Sequence, residues 1–188
     1  MRIGAVLMAS GFSHRFGRNK LLQNVEGVPM IERAFQALPA ELFQRAVVVS
    51  SYPEVLEMAE RQHYFPVPNP MAADGQSASI RLGLAELRDM DGVMFAVCDQ
   101  PWLCRESVAR LIHRFYDCPS CICALSWQKK RGNPVIFPRS LFPKLLSLRG
   151  EEGGGKVIRA NIDLLRLVDT GNPKELNDVD TPGDLGED

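Results

Sequence analysis

The amino-acid sequence predicts a single α/β domain whose mostly parallel, Rossmann-like sheet carries helices on both faces. Apolar runs of strand length alternate with segments of helical period from the first residues onward, which is the pattern of β-α-β units. The most apolar run, residues 93–97, is typical of a strand at the centre of a sheet covered on both sides. Because we find no internal repeat, low-complexity tract or linker, residues 1–188 are expected to form one domain.

The first half of the chain contains three predicted strands and three predicted helices. Short apolar runs predict strands over residues 3–8, 46–49 and 65–67. Apolar residues at helical spacing predict helices over residues 29–38, 53–60 and 77–87. Pro29 suits the first turn of its helix, where a missing N–H breaks no hydrogen bond. Polar residues predict loops over residues 9–20 and 68–76.

The second half continues the alternation of strands and helices. Strands are predicted over residues 93–97, 121–125, 134–137 and 164–168. Helices are predicted over residues 105–116, 138–146 and 155–161. The polar run 128–133 is interpreted as a turn between two strands. Ligands of such sheets bind beyond the carboxyl ends of the strands, which directs attention to residues 9–20 and 98–102.

Charge and composition exclude two classes of function. With a net charge of -1, the chain has no basic excess for holding nucleic acid. No stretch approaches the roughly 18 apolar residues that a membrane-spanning helix needs. Residues 1–8 lack a small-residue cleavage site, so they are interpreted as a buried strand and not as an export signal. The protein is therefore expected to be cytoplasmic.

The cysteines are expected to be reduced thiols. The chain contains 5 cysteines, an odd number that argues against a disulfide framework in a protein without an export signal. Cys118, Cys121 and Cys123 lie close together in sequence, but no second cysteine pair or nearby histidine completes a zinc site.

The loop after the first strand has the composition of a phosphate-binding loop. It combines small residues, two glycines and several cations, so its backbone N–H groups can approach a phosphate chain. Arg15 and Lys20 are the cations expected to neutralise a triphosphate. The spacing fits neither a Walker A loop nor a G-x-G-x-x-G dinucleotide motif. An ordinary solvated turn is the alternative.

This loop resembles the L-x-x-G-x-S/G-x-R-x-G-x-x-K signature of the MobA-like nucleotidyltransferases, and among them most the molybdenum cofactor cytidylyltransferases. The matching positions are Leu7, Gly11, Ser13, Arg15, Gly17 and Lys20. The resemblance covers nearly the whole chain and implies a fold of the nucleotide-diphospho-sugar transferase type. In the family, small residues beside the base help to select it. The chain has Met8-Ala9-Ser10-Gly11 here, where relatives usually carry Ala-Ala-Gly or Ala-Gly-Gly.

Two aspartates are candidate magnesium ligands. Asp99 follows the central strand, and Mg²⁺ prefers one or two carboxylates together with phosphate oxygens and waters. The family carries Gly-Asp-x-Pro at this place, with Cys98 replacing the glycine here. The end of the chain resembles the closing motif D-x-D-T-P-x-D, which implies that Asp180 is the second ligand. Asp178 is expected to face the opposite side, and Asp184 to cap a short helix.

The middle of the chain supplies further positions that the resemblance assigns to the two substrates. Asn69, Gly75 and Ser79 match a nucleotide-binding pattern, although a plain helix N-cap explains the same residues. The acceptor site is expected to contain Gln100, Pro101, Gly132, Asn133 and Pro134. Residues 150–155 resemble a family segment that covers the acceptor. Trp102 either stacks on an acceptor ring or packs in the core.

The resemblance implies a Mg²⁺-dependent nucleotidyltransferase that moves a nucleotide, CMP from CTP, onto the phosphate of a molybdopterin-type acceptor. One alternative keeps the chemistry but changes the substrates to GTP with molybdopterin, or to a sugar or alditol phosphate. Another alternative is a non-catalytic carrier of molybdenum cofactor. A molybdenum hydroxylase is the expected recipient of the product.

Overall fold

The computed structural model describes residues 1–11 and 19–185, and it confirms the predicted α/β architecture. In chain order the strands are β1 (Ile3–Met8), β2 (Asn24–Val25), β3 (Val28–Pro29), β4 (Arg45–Ser50), β5 (Phe65–Pro68), β6 (Gly92–Val97), β7 (Ile122–Trp127), β8 (Lys130–Pro138) and β9 (Leu165–Asp169). The α-helices are α1 (Met30–Ala37), α2 (Pro53–Arg61), α3 (Gln76–Ala85), α4 (Arg105–Asp117), α5 (Phe142–Leu146) and α6 (Gly154–Arg159). Every strand and helix predicted from the sequence is present, with ends that shift by a few residues.

Seven strands form one sheet in the order β5-β4-β1-β6-β8-β7-β9. All neighbouring strands are parallel except that β8 runs antiparallel to both β6 and β7. The register pairs Leu7 of β1 with Ala96 of β6, and Met8 with Val97. The residues that follow these two strands therefore lie side by side at the carboxyl edge of the sheet.

The sheet is covered by helices on both faces because side chains along each strand alternate between two apolar clusters. Ala5 and Leu7 of β1 belong to the cluster that includes Val108, Leu111 and other residues of α4, together with those of α1. Val6 belongs to the opposite cluster, which contains residues of α3, α5 and α6. Burial on both faces explains why the central strands are continuous apolar runs.

Two sequence-based predictions are wrong in detail. Residues 128–133 are not a turn: β7 and β8 form a hairpin whose turn is only Gln128 and Lys129, both with positive φ. Lys130 to Asn133 belong to β8. The expectation that all cysteines are reduced is also wrong, because Cys118 and Cys121 form a disulfide. The end of α4 brings their Cα atoms to 5.4 Å, within the range a disulfide can bridge.

The small β2–β3 hairpin was not predicted. Its turn consists of Glu26 and Gly27, which have φ of 51° and 80°. Glu26 accepts a hydrogen bond from Arg33 and another from the indole of Trp102, which is itself half-buried against the core. The ammonium of Lys174 lies 4.7 Å from the centre of the Trp102 ring. Trp102 therefore packs between these residues, as the core alternative for this side chain predicted.

Candidate active site

The site begins where β1 and β6 end. The amide of Ala9 and the hydroxyl of Ser10 both donate hydrogen bonds to the carbonyl of Val49, at 2.8 and 3.1 Å. The hydroxyl of Ser50 donates to the carbonyl of Ala9 at 2.9 Å. These hydrogen bonds hold the start of the first loop against the end of β4, so that small, nearly buried residues form one wall of the site. Among the described residues, none would lie within 4 Å of a Cβ added to Gly11.

Three charged side chains meet beside this wall. The ammonium of Lys20 donates hydrogen bonds to Asp99 Oδ2 at 2.8 Å, to Asp180 Oδ1 at 3.2 Å and to the carbonyl of Val179 at 2.9 Å. The first loop, the end of β6 and the C-terminal segment are thus brought to one point, although 160 positions separate Lys20 from Asp180. Three of the candidate catalytic and metal-binding residues lie together. Ser13, Arg15 and Gly17 lie outside the described residues.

The two carboxylates of this cluster stabilise the charged form of Lys20. Burial disfavours the charged form of Lys20, but the carboxylates of Asp99 and Asp180 outweigh it and raise the pKa of the ammonium. Oδ1 of Asp99 is buried and accepts no hydrogen bond from the residues that the structure describes. A buried carboxylate oxygen without a partner is costly unless a cation or donor is supplied from outside the protein.

The C-terminal segment is fixed to the end of β6 by hydrogen bonds. The amide of Val179 donates to the carbonyl of Asp99 at 2.9 Å, and Gln100 donates from Nε2 to Asp178 Oδ1 at 2.8 Å. The prediction that Asp178 faces the opposite side is therefore wrong: its carboxylate lies near Asp99 and Asp180. Residues two apart in an extended segment point to the same side, so alternation does not separate Asp178 from Asp180. Desolvation and the negative charge of Asp99 raise the pKa of Asp178.

Asp184 closes the turn that carries Asp180. Its Oδ2 accepts hydrogen bonds from the amides of Asp180 and Thr181 and from the Thr181 hydroxyl, at 2.9, 2.7 and 2.9 Å. A short 3₁₀ helix, Pro182–Leu185, follows Thr181. The predicted capping role of Asp184 is therefore confirmed, and this bonding fixes the backbone beside Asp180.

A cavity of about 370 Å³ opens on this cluster. Its lining includes Ala9, Ser10, Gly11, Lys20, Gly75, Ser79, Cys98 and Asp99. Two predicted nucleotide-binding residues do not line it. Leu7 is fully buried in β1, and Asn69 donates from Nδ2 to the Ser79 hydroxyl at 3.1 Å and so holds the loop against α3. The thiol of Cys98 is buried, which raises its pKa far above neutrality and leaves it unreactive.

Gly75 joins this cavity to the next one. It has a φ of 85°, and an added Cβ would lie 2.6 Å from the carbonyl carbon and oxygen of Gly150. The amide of Ser77 donates to that same carbonyl at 3.1 Å. Only glycine fits here, because the backbones of the two loops touch. No described side chain caps the start of α3, and the carbonyls of Gly150 and Gly75 accept hydrogen bonds from the amides of Ser77 and Ala78 instead.

A second cavity of about 590 Å³ adjoins the first and shares Met8, Gln76 and Glu151 with it. Apolar residues form its floor, namely Ile80, Phe95, Val135, Phe137, Leu145 and Ile158. Its charged lining residues are Arg131, Glu151, Glu152, Lys156 and Arg159. Residues 150–153, predicted to cover the acceptor, form a turn on its edge and lead into α6.

Only one of the five predicted acceptor-binding residues, Asn133, lines this cavity. Gln100 and Pro101 are buried at the end of β6, where Gln100 binds the C-terminal segment. Gly132 packs on Leu176, since an added Cβ would lie 2.9 Å from that side chain. Pro134 is buried within β8 and follows a cis peptide bond.

The sequence analysis missed Gln76 at the junction, and Arg131 and Arg159 in the second cavity, whereas Glu151 lies in the segment 150–155 predicted to cover the acceptor. None of the three missed residues was assigned a role by a sequence motif. The only available signal was a dense group of charges within residues 129–131 and 151–159, which is also typical of a solvated surface.

The donor set at Asp99 and Asp180 fits a magnesium ion only if the substrate completes it. Among the described residues, no group of three or more His, Cys, Asp or Glu side chains is arranged to hold a metal. Mg²⁺ is often bound by one or two carboxylates together with phosphate oxygens and waters. The buried, unpartnered Oδ1 of Asp99 and the exposed carboxylate of Asp180 meet that requirement.

The chain is similar in sequence to known proteins along most of its length. The family described as the MobA-like NTP transferase domain matches residues 5–166. The chain is 27% identical to the nicotine blue oxidoreductase of Paenarthrobacter nicotinovorans, over 95% of this chain and 92% of that protein. It is also 27% identical to a probable molybdenum cofactor guanylyltransferase of Nostoc sp., over 96% of this chain and 87% of that protein.

Solved structures of similar fold include a nucleotidyl transferase from Methanothermobacter. It superposes with a TM-score of 0.80 at 22% identity, over 97% of this chain and 94% of that one. The predicted fold type is thereby confirmed. No helix in the described residues is both long and apolar enough to cross a membrane.

Proposed function

This chain belongs to the MobA-like NTP transferase family, and we propose that it is a nucleotidyltransferase that transfers CMP from CTP to the phosphate of a molybdopterin-type acceptor and releases pyrophosphate. The observation that carries the proposal is the contact of Lys20 with both Asp99 and Asp180 in a cavity that opens onto a second, larger one. Two adjoining cavities are what a reaction between two sizeable substrates needs.

The NTP would occupy the smaller cavity. Small residues at Ala9, Ser10 and Gly11 let a nucleotide approach the backbone closely, and the start of α3 borders the cavity at Gln76 and Ser79, where the helix dipole favours an anion. Lys20 would neutralise charge that moves onto the pyrophosphate as it leaves. Its raised pKa keeps the ammonium protonated at neutral pH, so this role requires no proton transfer.

The reaction proposed is an in-line displacement. An oxygen of the acceptor phosphate forms a bond to the α-phosphorus of the NTP, and the bond from that phosphorus to the pyrophosphate oxygen breaks. Because a phosphate is already anionic near neutral pH, no general base is needed, and catalysis rests on positioning and charge neutralisation. Asp99 and Asp180 would hold Mg²⁺, which when bound supplies positive charge to the phosphate oxygens.

The acceptor would occupy the larger cavity, where Asn133 offers a hydrogen-bonding side chain. An apolar floor with charged residues around it suits a molecule that combines a ring system with anionic groups. A sugar phosphate or alditol phosphate instead demands many polar partners for its hydroxyl groups. This contrast supports the molybdopterin-type acceptor, with a molybdenum hydroxylase as the recipient of the product.

GTP is the second candidate nucleotide. The relatives that match this chain include a probable molybdenum cofactor guanylyltransferase, while another relative of equal identity is called an oxidoreductase. At 27% identity neither name transfers by itself. The preference for CTP rests on the family resemblance of the first loop, in which Ser10 departs from the alanine or glycine that relatives carry.

The test is pyrophosphate release with CTP, GTP, ATP or UTP, each with and without molybdenum cofactor, in the presence and absence of Mg²⁺. We expect release with CTP only when cofactor and Mg²⁺ are both present. Asp99→Asn should lower kcat by at least about 100-fold, since it removes charge from the reacting centre without changing shape. Asp163→Asn, an exposed carboxylate outside both cavities, is the matched control.

The other outcomes separate the alternatives. Release with GTP alone would keep the chemistry and replace the nucleotide. Tight binding of molybdenum cofactor with no release from any nucleotide would refute the enzyme and favour the carrier. The contacts of Lys20 with Asp99 and Asp180 speak against the carrier, because holding a cofactor requires no triphosphate site.

A further inference from the structure

Two arginines lie together on the wall of the larger cavity. Both Arg131, from β8, and Arg159, from the end of α6, line it. A Cβ added at Gly155 would lie 3.5 Å from Arg159 Nη1 and 3.6 Å from Arg131 Nη2, so both guanidinium groups border the same small volume. Residues from a strand and from a helix thus converge on one point of the cavity wall.

Neither arginine forms an ion pair with a carboxylate among the residues that the structure describes. Other cations of the chain do: Lys156, in the same cavity, lies 2.5 Å from Glu152 Oε1, and Arg33 lies 2.8 Å from Glu26 Oε2. Burial and the positive charge of Arg159 lower the pKa of Arg131. The fold therefore keeps two like charges close together beside a cavity, which is unfavourable unless an anion binds between them.

We propose that Arg131 and Arg159 form an oxyanion subsite that binds an anionic group of the acceptor. The proposal rests on the proposed function, which places the acceptor in this cavity. A guanidinium group binds a phosphate or carboxylate through two parallel hydrogen bonds, and two such groups side by side suit a tetrahedral or planar oxyanion. Asp99 lines the other cavity, so this subsite is separate from the carboxylate and Lys20 cluster.

Arg139 is a matched control for Arg131 and Arg159. Arg139 follows Pro138, which pairs with Gly92 at the start of β6, so it lies at the edge of the sheet opposite the site. It is exposed and lines neither cavity. Arg131→Gln, Arg159→Gln and Arg139→Gln change net charge equally, whereas Arg131→Lys keeps the charge but loses the planar fork.

The first measurement does not need turnover. Phenylglyoxal, which modifies arginine, is applied to the protein in saturating CTP and Mg²⁺, with or without inorganic phosphate at constant ionic strength. Peptide mass spectrometry then gives the modified fraction of each arginine. We expect phosphate to protect Arg131 and Arg159 at least about threefold while Arg139 reacts equally in both samples, and Arg159→Gln to abolish the protection of Arg131.

The second measurement is steady-state kinetics with molybdenum cofactor. Because a charged hydrogen bond of this kind contributes roughly a factor of ten in affinity, each single glutamine variant should raise the KM of the cofactor about tenfold. The KM of CTP should stay unchanged. Arg131→Lys should recover part of the loss, and Arg139→Gln should behave like the unsubstituted protein.

The combined outcomes distinguish this subsite from the proposed function. Protection by phosphate in a protein that shows no transfer to molybdenum cofactor would keep the oxyanion site and refute the proposed acceptor. Transfer with an unchanged cofactor KM in both glutamine variants would overturn the subsite and keep the function. A raised KM without protection by phosphate would also overturn the assignment of the pair to an oxyanion.

Discussion

The two cavities adjoin at Met8, Gln76 and Glu151 but are built from different parts of the fold. The smaller one lies at the carboxyl ends of the parallel strands β1 and β6, and short, nearly buried residues hold its charges in place. The larger one lies beside the antiparallel strand β8 and helix α6, and long exposed side chains carry its charges. Chemistry at phosphorus needs fixed charges, whereas holding an acceptor tolerates adjustable ones.

The difference also appears in how each cavity neutralises its charges. Lys20 is placed between two carboxylates, so cation and anions stabilise one another before any substrate arrives. Arg131 and Arg159 instead face each other without a carboxylate partner among the described residues. The smaller cavity is therefore organised by the protein, while the larger one depends on its ligand to balance its charge.

Lys20→Met is the substitution that separates the two cavities most sharply, and it should have the largest effect. Removing the ammonium takes away charge stabilisation in the smaller cavity only. We expect kcat for pyrophosphate release to fall by about 10²- to 10³-fold, with the KM of the acceptor nearly unchanged. Lys174→Met, which removes an exposed ammonium beside Trp102, is the control and should keep kcat.

The unsubstituted protein and its Lys20→Met variant should also differ in how their stability depends on pH. Because the pKa of Lys20 is raised above 10.5 in the folded state, folding favours its protonated form. That stabilisation is fully present below pH 10.5, the value for the unfolded chain, and is lost as pH rises through the folded pKa. The difference in unfolding free energy between the two proteins should thus be constant near neutrality and shrink only in strong alkali. If this difference in unfolding free energy already decreased near neutral pH, the assignment of the ion pair would be contradicted.

Gly75→Ala should disturb both cavities at once, because it pushes apart the loops that join them. A Cβ at φ 85° is strained, and it would lie 2.6 Å from backbone atoms of Gly150, which have little room to move. We expect a loss of about 2–3 kcal/mol in unfolding free energy, measured by urea denaturation.

Gly171→Ala measures the effect of an unfavourable backbone conformation in the absence of a steric clash. Gly171 has a φ of 80°, yet an added Cβ there would meet nothing within 4 Å. Its alanine variant should lose only about 1 kcal/mol, the contribution of the unfavourable backbone conformation. Equal losses at the two positions would show that the contact of Gly75 with Gly150 contributes nothing.

Asp184→Asn should have the smallest effect, confined to the smaller cavity through the turn that carries Asp180. Hydrogen bonds from the Thr181 amide, the Asp180 amide and the Thr181 hydroxyl lower the pKa of Asp184 below 3.8. Its stabilisation is therefore present above pH 3.8 and lost as pH falls through the folded pKa. The variant should show a slightly lower Tm at neutral pH and an equal Tm in strong acid. An unchanged Tm at neutral pH would contradict the role of this turn.

Much of the smaller cavity was predictable because its residues lie in short segments next to recognisable strands. Asp99 directly follows the most apolar run of the chain, and Lys20 ends a loop of distinctive spacing. Both features are local, so they can be recognised in the sequence. Asp178 was assigned to the wrong side because alternation was misapplied: residues two apart in an extended segment share a side, and hydrogen bonds to Gln100 and Asp99 fix this segment.

The larger cavity was predicted poorly because its residues meet only through the hairpin of β7 and β8. A turn between the two strands was predicted, but Gln128 and Lys129 adopt positive φ without the Asn-Gly signal that identifies a two-residue turn, so the turn was predicted too long. Once β8 extends back to Lys130, Arg131 is carried to the cavity wall while Gly132 turns towards Leu176. No pattern in the sequence indicated that Arg159 would lie opposite.

By itself, the sequence determined the α/β class, the order of the strands along the chain, the first loop and the acidic residues, because apolar periodicity and motif spacing record burial and local geometry. Only the tertiary structure decided which strand runs antiparallel, that Cys118 and Cys121 are bonded, and that Lys20 lies between Asp99 and Asp180. These features depend on contacts between residues distant along the chain or on the path of the backbone between neighbours. The energies of these contacts depend on distances between atoms, and the order of residues along the chain does not give those distances.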